Sequence, residues 1–403
     1  MTNSQRPYGN SRTPLPPVQT PADGVPTPRT RVPEGSRPAQ GAPGGPGGRQ
    51  RDAFFDNAKY LAIVLVAVGH AWGQLLDGGA VETAYRVVYT FHMPAFILIS
   101  GYFSRSFDLR PKHVRRLVTG VVVPYVVFET AYSLFQRYGN DEPGHGITLL
   151  DPTYHLWFLC ALFVWRLTTP VWKAVKHPVP VSLVLAALGS VSPQIGDDLE
   201  LQRVLQFLPF FVLGLTLRPE HFRMVKRRSV RLASVPVFLA AVVTAWATMP
   251  YMRLGWLYHS DAAQELGTPW WTGPVTVWAT LGCSLVMTVC FFAWVPRRRM
   301  WFTSLGAGTI YGYLLHAFLV RAGNYTDFYD QPALHEPLGV LGLTVFAAAA
   351  VTLLCTRPVQ QALRCVVEPH MEWAFRKDAG EEARIREQPR PAEVRAPGEK
   401  VSV

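Results

Sequence analysis

Apolar residues along this chain gather into ten blocks, separated by short breaks rich in charge, Pro or Gly. The blocks cover residues 54–76, 82–103, 116–136, 155–172, 179–193, 204–217, 232–250, 273–295, 305–322 and 338–356. Most have the ~17–25 residues that a helix needs to cross ~30 Å of hydrocarbon; the fifth and sixth are the shortest. The pattern predicts an all-α fold, a polytopic transmembrane bundle of about ten helices. It shows no internal repeat and no second globular domain.

The breaks alternate in charge. With the amino end taken as cytoplasmic, the inner loops carry Arg105, Arg110, Lys112, Arg115, Arg116, Lys173, Lys176, Arg218, Arg223, Lys226, Arg227, Arg228, Arg231 and Arg297 to Arg299, with Asp108 and Glu220 as their acids. The outer loops carry Asp77, Glu82, Asp141, Glu142, Asp151, Asp197, Asp198, Glu200, Asp261, Glu265, Asp327, Asp330 and Glu336 against few cations. This is the positive-inside pattern, and it places both termini in the cytoplasm of a multi-pass protein of the cell membrane. The net charge of +11 is thereby a property of topology, which removes the argument for a nucleic-acid partner.

Flanking the blocks are two segments of different character. Residues 1–51 hold eleven Pro before residue 51 and cannot bury enough apolar surface to order, so a disordered cytoplasmic tail is expected there. No apolar signal-peptide region precedes the first block. Residues 52–356 form the expected membrane domain, and 357–403 a charged cytoplasmic carboxyl tail. The five cysteines show no CxxC or metal spacing and read as packing residues.

Titratable groups inside hydrocarbon are expensive and mark candidate sites. Lys59 and His70 lie eleven residues apart in the first block. That step is three helical turns plus ~20°, so both share one face, ~16 Å apart along the axis. His70 is the candidate general base, because an imidazole titrates near working pH and a hydroxyl nucleophile needs its proton removed. Asp56, three residues before Lys59, is placed to pair with it. His92, just ahead of Met93-Pro94, falls near mid-membrane, and His316 lies at similar depth in the ninth block. Each either orients substrate or bonds to a neighbouring helix. Glu129 falls at about the depth of His70 and is the candidate partner that would orient its ring. Arg110, Lys112, Arg115 and Arg116 line the inner entrance to the third block, either as phosphate contacts or as topology signals. Trp256, Tyr258, Trp270 and Trp271 flank an outer loop with His259, Asp261 and Glu265, which suits either sugar binding or an interfacial belt. No phosphate-cradling GxxxxGK[ST], no GxSxG elbow and no HExxH appears.

The ordered set of motifs resembles the integral-membrane acyltransferase 3 family, and most of all its fucose 4-O-acetylase-like branch. The resemblance rests on Asp56-Asn57-Ala58-Lys59-Tyr60, Gly69-His70, Phe91-His92-Met93-Pro94, Ser100-Gly101-Tyr102-Phe103, Pro124-Tyr125, His155-Leu156-Trp157-Phe158-Leu159, Phe207-Leu208-Pro209 to Gly214, and Tyr313-Leu314-Leu315-His316. It covers roughly residues 52–356. It implies transfer of an acyl group, usually acetyl, from cytoplasmic acyl-CoA to a hydroxyl, typically on a carbohydrate, with no tightly bound cofactor. Lys59 and His70 match the family's basic-x10-His motif, with Lys where Arg is commoner; Lys lacks the bidentate fork. The site so expected has His70, His92 and Glu129 as catalytic groups and Lys59, Arg115, Arg116, His155 and His316 as substrate-binding groups. Membrane lipid, acyl-CoA and a glycan acceptor are the expected partners. A secondary transporter or flippase of a sugar or lipid-linked glycan is the alternative, in which the same His and Lys would bind or couple substrate.

Overall fold

The computed structural model describes residues 52–76, 78–140, 144, 146–195, 198–369 and 371–375. The expected amino-terminal tail and the chain beyond 375 lie outside the described residues. Among the described residues every regular element is helical. Ten principal helices stand at the ten apolar blocks: α1 Ala53–Trp72, α2 Gly79–Ser104, α3 Pro111–Gly139, α4 Trp157–Leu167, α5 Pro178–Gly189, α6 Leu201–Thr216, α7 Arg228–Thr248, α8 Thr272–Trp294, α9 Thr309–Tyr325 and α10 Pro337–Leu354.

Seven of the ten are long and apolar enough to cross a membrane; α4, α5 and α9 are shorter. The fourth block is broken: a second helix, Thr169–Ala174, begins with Pro170 in its first turn. Proline has no N–H to continue the previous helix, so the run divides there. In α3 the stretch Val118–Val122 winds as a π-helix just ahead of Pro124, another place where proline removes a ladder donor. The head of the expected carboxyl tail is also ordered. Arg357–Val367 is a helix whose Leu363, Val366 and Val367 pack into the same cluster as Tyr125, Tyr311 and Val351.

Local signals set the start of α1. Asp52 caps it, its carboxylate accepting from the Phe54 N–H at 2.9 Å. One turn on, the Asn57 amide donates to the carbonyls of Pro296 and Arg298 at 2.9 and 3.0 Å, and the Thr303 hydroxyl donates back to Asn57 at 2.6 Å. These bonds tie the first helix to the loop between α8 and α9. Its far end, carrying His70, is thereby set against α9.

Packing between α2 and α6 depends on two glycines. A methyl group at Gly101 would run into the carbonyl of Phe211, and one at Gly214 into that of Leu98. Close backbone approach through small residues is the usual way membrane helices gain contact, since lipid supplies no hydrophobic drive between them. The crossing places His92 of α2 and Arg203 of α6 on the wall of one cavity.

Candidate active site

His70 sits near the carboxyl end of α1, half-buried, and its Nδ1 lies 2.9 Å from Nε2 of His316 on α9. The two rings stack, with centroids 5.0 Å apart. His316 Nδ1 faces only acceptors, the carbonyls of Gly312 and Tyr313 at 2.9 and 2.8 Å. On α2, His92 Nδ1 likewise faces the Val88 carbonyl at 2.9 Å. A carbonyl cannot donate, so the proton of neutral His92 is on Nδ1 and its Nε2 carries the lone pair.

Glu129 does not meet His70. Its fully buried carboxylate accepts from the Thr153 N–H at 2.7 Å, from the Thr153 hydroxyl, and from the Ser133 hydroxyl at 3.4 Å. The reason is rotational: α3 turns Glu129 toward the segment entering α4, and His316 occupies the place beside His70 that Glu129 was expected to fill. Two residues further on, the Tyr313 hydroxyl donates to the His155 carbonyl. Between these two anchors Tyr154 has φ of 60°, a left-handed conformation unfavourable for a bulky residue. Such strain persists only where neighbours over-determine it. Buried His155 packs its ring 4.9 Å from His316 and 6.1 Å from His70, and neither of its ring nitrogens finds a hydrogen-bond partner among the described residues.

Beside His70 lies a cavity of about 300 Å³. His70, His92 and His155 line it with Gln74, Tyr85, Tyr89, Tyr154, Trp157, Arg203, Phe207, Tyr258 and Tyr313. Tyr85 stacks on Tyr89 at 3.9 Å between centroids and shares a 2.7 Å hydrogen bond with the Tyr258 hydroxyl. Arg203 pairs with Glu200 at 2.5 Å and lies over the Trp157 ring at 5.5 Å. Aromatic faces with a few fixed polar groups suit a ring-shaped polar ligand. Sequence reasoning missed Arg203, Gln74 and the Tyr85–Tyr89 pair. The available signal was Arg203 itself, a cation directly after the acids Asp197, Asp198 and Glu200.

The other expected site residues lie elsewhere. Lys59 pairs with Asp56 at 2.8 Å toward the opposite end of α1. Arg115 lies against the Phe375 ring at 5.8 Å, Arg116 is exposed, and neither lines the cavity. His316 stands behind His70, between this cavity and a second one. In the loop between α7 and α8, expected to be external, Trp270 and Trp271 are exposed while Trp256 is buried. Asp261 accepts from Ser260 at 2.5 Å and Glu265 from the Ala262 N–H at 2.6 Å, so both carboxylates are engaged locally. Of that loop, Leu257 and Tyr258 reach the cavity. Among the described residues no three His, Cys, Asp or Glu are grouped to hold a metal ion.

Comparison with known proteins follows the same boundaries. The family described as an acyltransferase domain matches residues 52–356. Nodulation protein NolL of Sinorhizobium fredii is 24% identical over 347 residues, covering 80% of this chain and 93% of the relative. Nodulation protein NolL of Mesorhizobium japonicum is 25% identical over 257 residues, 62% of this chain and 58% of that relative. No solved structure matches. A family match that takes in all ten apolar helices, together with those helices themselves, means that the chain belongs to the acyltransferase 3 family and is a multi-pass membrane acyltransferase.

Proposed function

We propose that this enzyme moves an acyl group, acetyl as the expected case, from cytoplasmic acyl-CoA to a hydroxyl of a carbohydrate. The observation that carries the reading is the position of His70 on the wall of an aromatic cavity of about 300 Å³. The acceptor ring stacks on the tyrosines and Trp157, with Gln74 and Arg203 bonding to its hydroxyls. His70 takes the proton of the reacting hydroxyl. The oxygen attacks the thioester carbonyl, the C–O bond forms as the C–S bond breaks, and the departing thiolate takes the proton from the His70 imidazolium. His92, with its bare Nε2 available, accepts from a second substrate hydroxyl.

Lys59, Arg115 and Arg116 attract the phosphates of the donor at the cytoplasmic face. Lys59 acts by charge rather than as a two-point clamp. The step of ~16 Å from Lys59 to His70 is then bridged by the flexible arm that carries the thioester. Segments at the outer end of the bundle, with Gln74 following α1 and Tyr258 preceding α8, line the cavity. That placement favours entry of the acceptor from outside, with both termini in the cytoplasm and the bundle in the cell membrane.

The test is transfer of labelled acetyl from acetyl-CoA by purified protein to a panel of glycans. Wild type should acylate at least one. His70→Ala should lose ~10²–10⁴-fold in turnover, the usual loss for a positioned base, with normal expression and insertion. Movement of a sugar or lipid-linked glycan across vesicles without acyl transfer would select the transporter instead.

A further inference from the structure

We infer that His316 is a positioning residue that fixes the protonation pattern of His70, so that a three-part relay of backbone carbonyl, His316 and His70 presents a bare nitrogen to the acceptor. The inference rests on the proposed role of His70 as base and specifies how that base is held.

The argument begins at the backbone end. His316 Nδ1 lies 2.9 and 2.8 Å from the carbonyls of Gly312 and Tyr313, and both can only accept. Its Nδ1 therefore carries a proton, and in the neutral ring Nε2 carries the lone pair. That lone pair faces His70 Nδ1 at 2.9 Å, which must then be the N–H. His70 Nε2 is left bare. The assignment passes through two rings without a free choice.

Chemically the arrangement does the work of an orienting carboxylate without a carboxylate. When His70 accepts a proton, the imidazolium keeps its Nδ1–H bonded to a neutral nitrogen, whose own N–H bonds to carbonyls strengthen it as an acceptor. A free anion at this depth would be costly. Among the described residues, the buried carboxylate of Glu129 is occupied by Thr153 and Ser133. From the far side His316 borders a second cavity of about 280 Å³ with mostly apolar walls, including Ala67, Leu319 and Phe346. Its other polar side chains are Tyr329 and Thr326, and the Thr326 hydroxyl already donates to the carbonyls of Ala322 and Gly323.

Two substitutions separate orientation from packing. His316→Phe keeps a ring of similar volume and removes the acceptor; it should lower kcat about 100-fold with KM for acyl-CoA unchanged. His316→Gln packs less well, yet its side-chain carbonyl can accept from His70 while its NH2 donates to the backbone carbonyls. It should keep kcat within about tenfold of wild type. A role in packing alone reverses that order, with Phe active and Gln impaired, and would overturn the inference. Wild-type protein gives an independent reading that needs no variant. Solid-state ¹⁵N spectra of ring-labelled histidine, with His70→Gln used to assign the signal, should show neutral His70 protonated at Nδ1. Protonation at Nε2 would overturn the relay. If His70→Ala retained turnover, the base reading itself would fall. If His70→Ala were inactive and His316→Phe fully active, only the relay would.

Discussion

A buried carboxylate is tolerable in a membrane protein when its oxygens are filled, and Thr153 and Ser133 fill those of Glu129. Glu129 does not line the cavity; it holds Thr153, whose neighbours Tyr154 and His155 do. Glu129→Ala would leave the Thr153 N–H and hydroxyl without partners, at a cost of ~1–3 kcal/mol for a buried orphaned donor, and would free the strained turn at Tyr154. A lower melting temperature in detergent together with reduced turnover is expected, and Glu129→Gln, which still offers a carbonyl to the Thr153 N–H, should recover much of both. Equal stability of the Ala variant and wild type would show that the loop is held by other contacts. Sequence spacing placed Glu129, His92 and His316 along their own helices, because helical rise is fixed. It could not give the rotation of one helix against another. The bond between His70 and His316 joins residues 246 apart, so it depended on how α1 and α9 turn toward each other.

The same boundary between rise and rotation runs through the helices. Hydrophobic runs located all ten principal helices, since each must satisfy its backbone internally in lipid. Run length overstated the fourth, whose break was marked in the sequence by Pro170. What no run reveals is where two helices touch. Gly101 and Gly214 stand in apolar stretches, as Gly120 and Gly282 do, yet only contact between α2 and α6 makes their lack of a side chain necessary. Gly101→Val should destabilise the bundle by ~1–3 kcal/mol or more, the usual cost of overpacking, because the obstacle is backbone that cannot rotate away. Gly282→Ala, where an added methyl meets nothing within 4 Å, is the matched control and should melt like wild type. A Gly101→Val protein with unchanged melting temperature would mean the crossing is looser than described.

For the molecule as a whole, loop charge gives a topology that can be tested site by site. Reporter fusions after residues 225 and 298 should read cytoplasmic, and those after 262 and 330 external; reversal at several sites would defeat the orientation with both termini inside. That orientation puts Lys59 at one end of α1 and His70 toward the other, with donor phosphates and acceptor ring approaching from opposite faces. Under the proposed reaction, the proton leaving the external hydroxyl finishes on the thiol of cytoplasmic CoA, while an acylium equivalent moves outward to take its place. One positive equivalent travels each way per turnover. The exchange is electroneutral, so the membrane voltage neither drives nor opposes the transfer, and the thioester bond alone supplies its free energy.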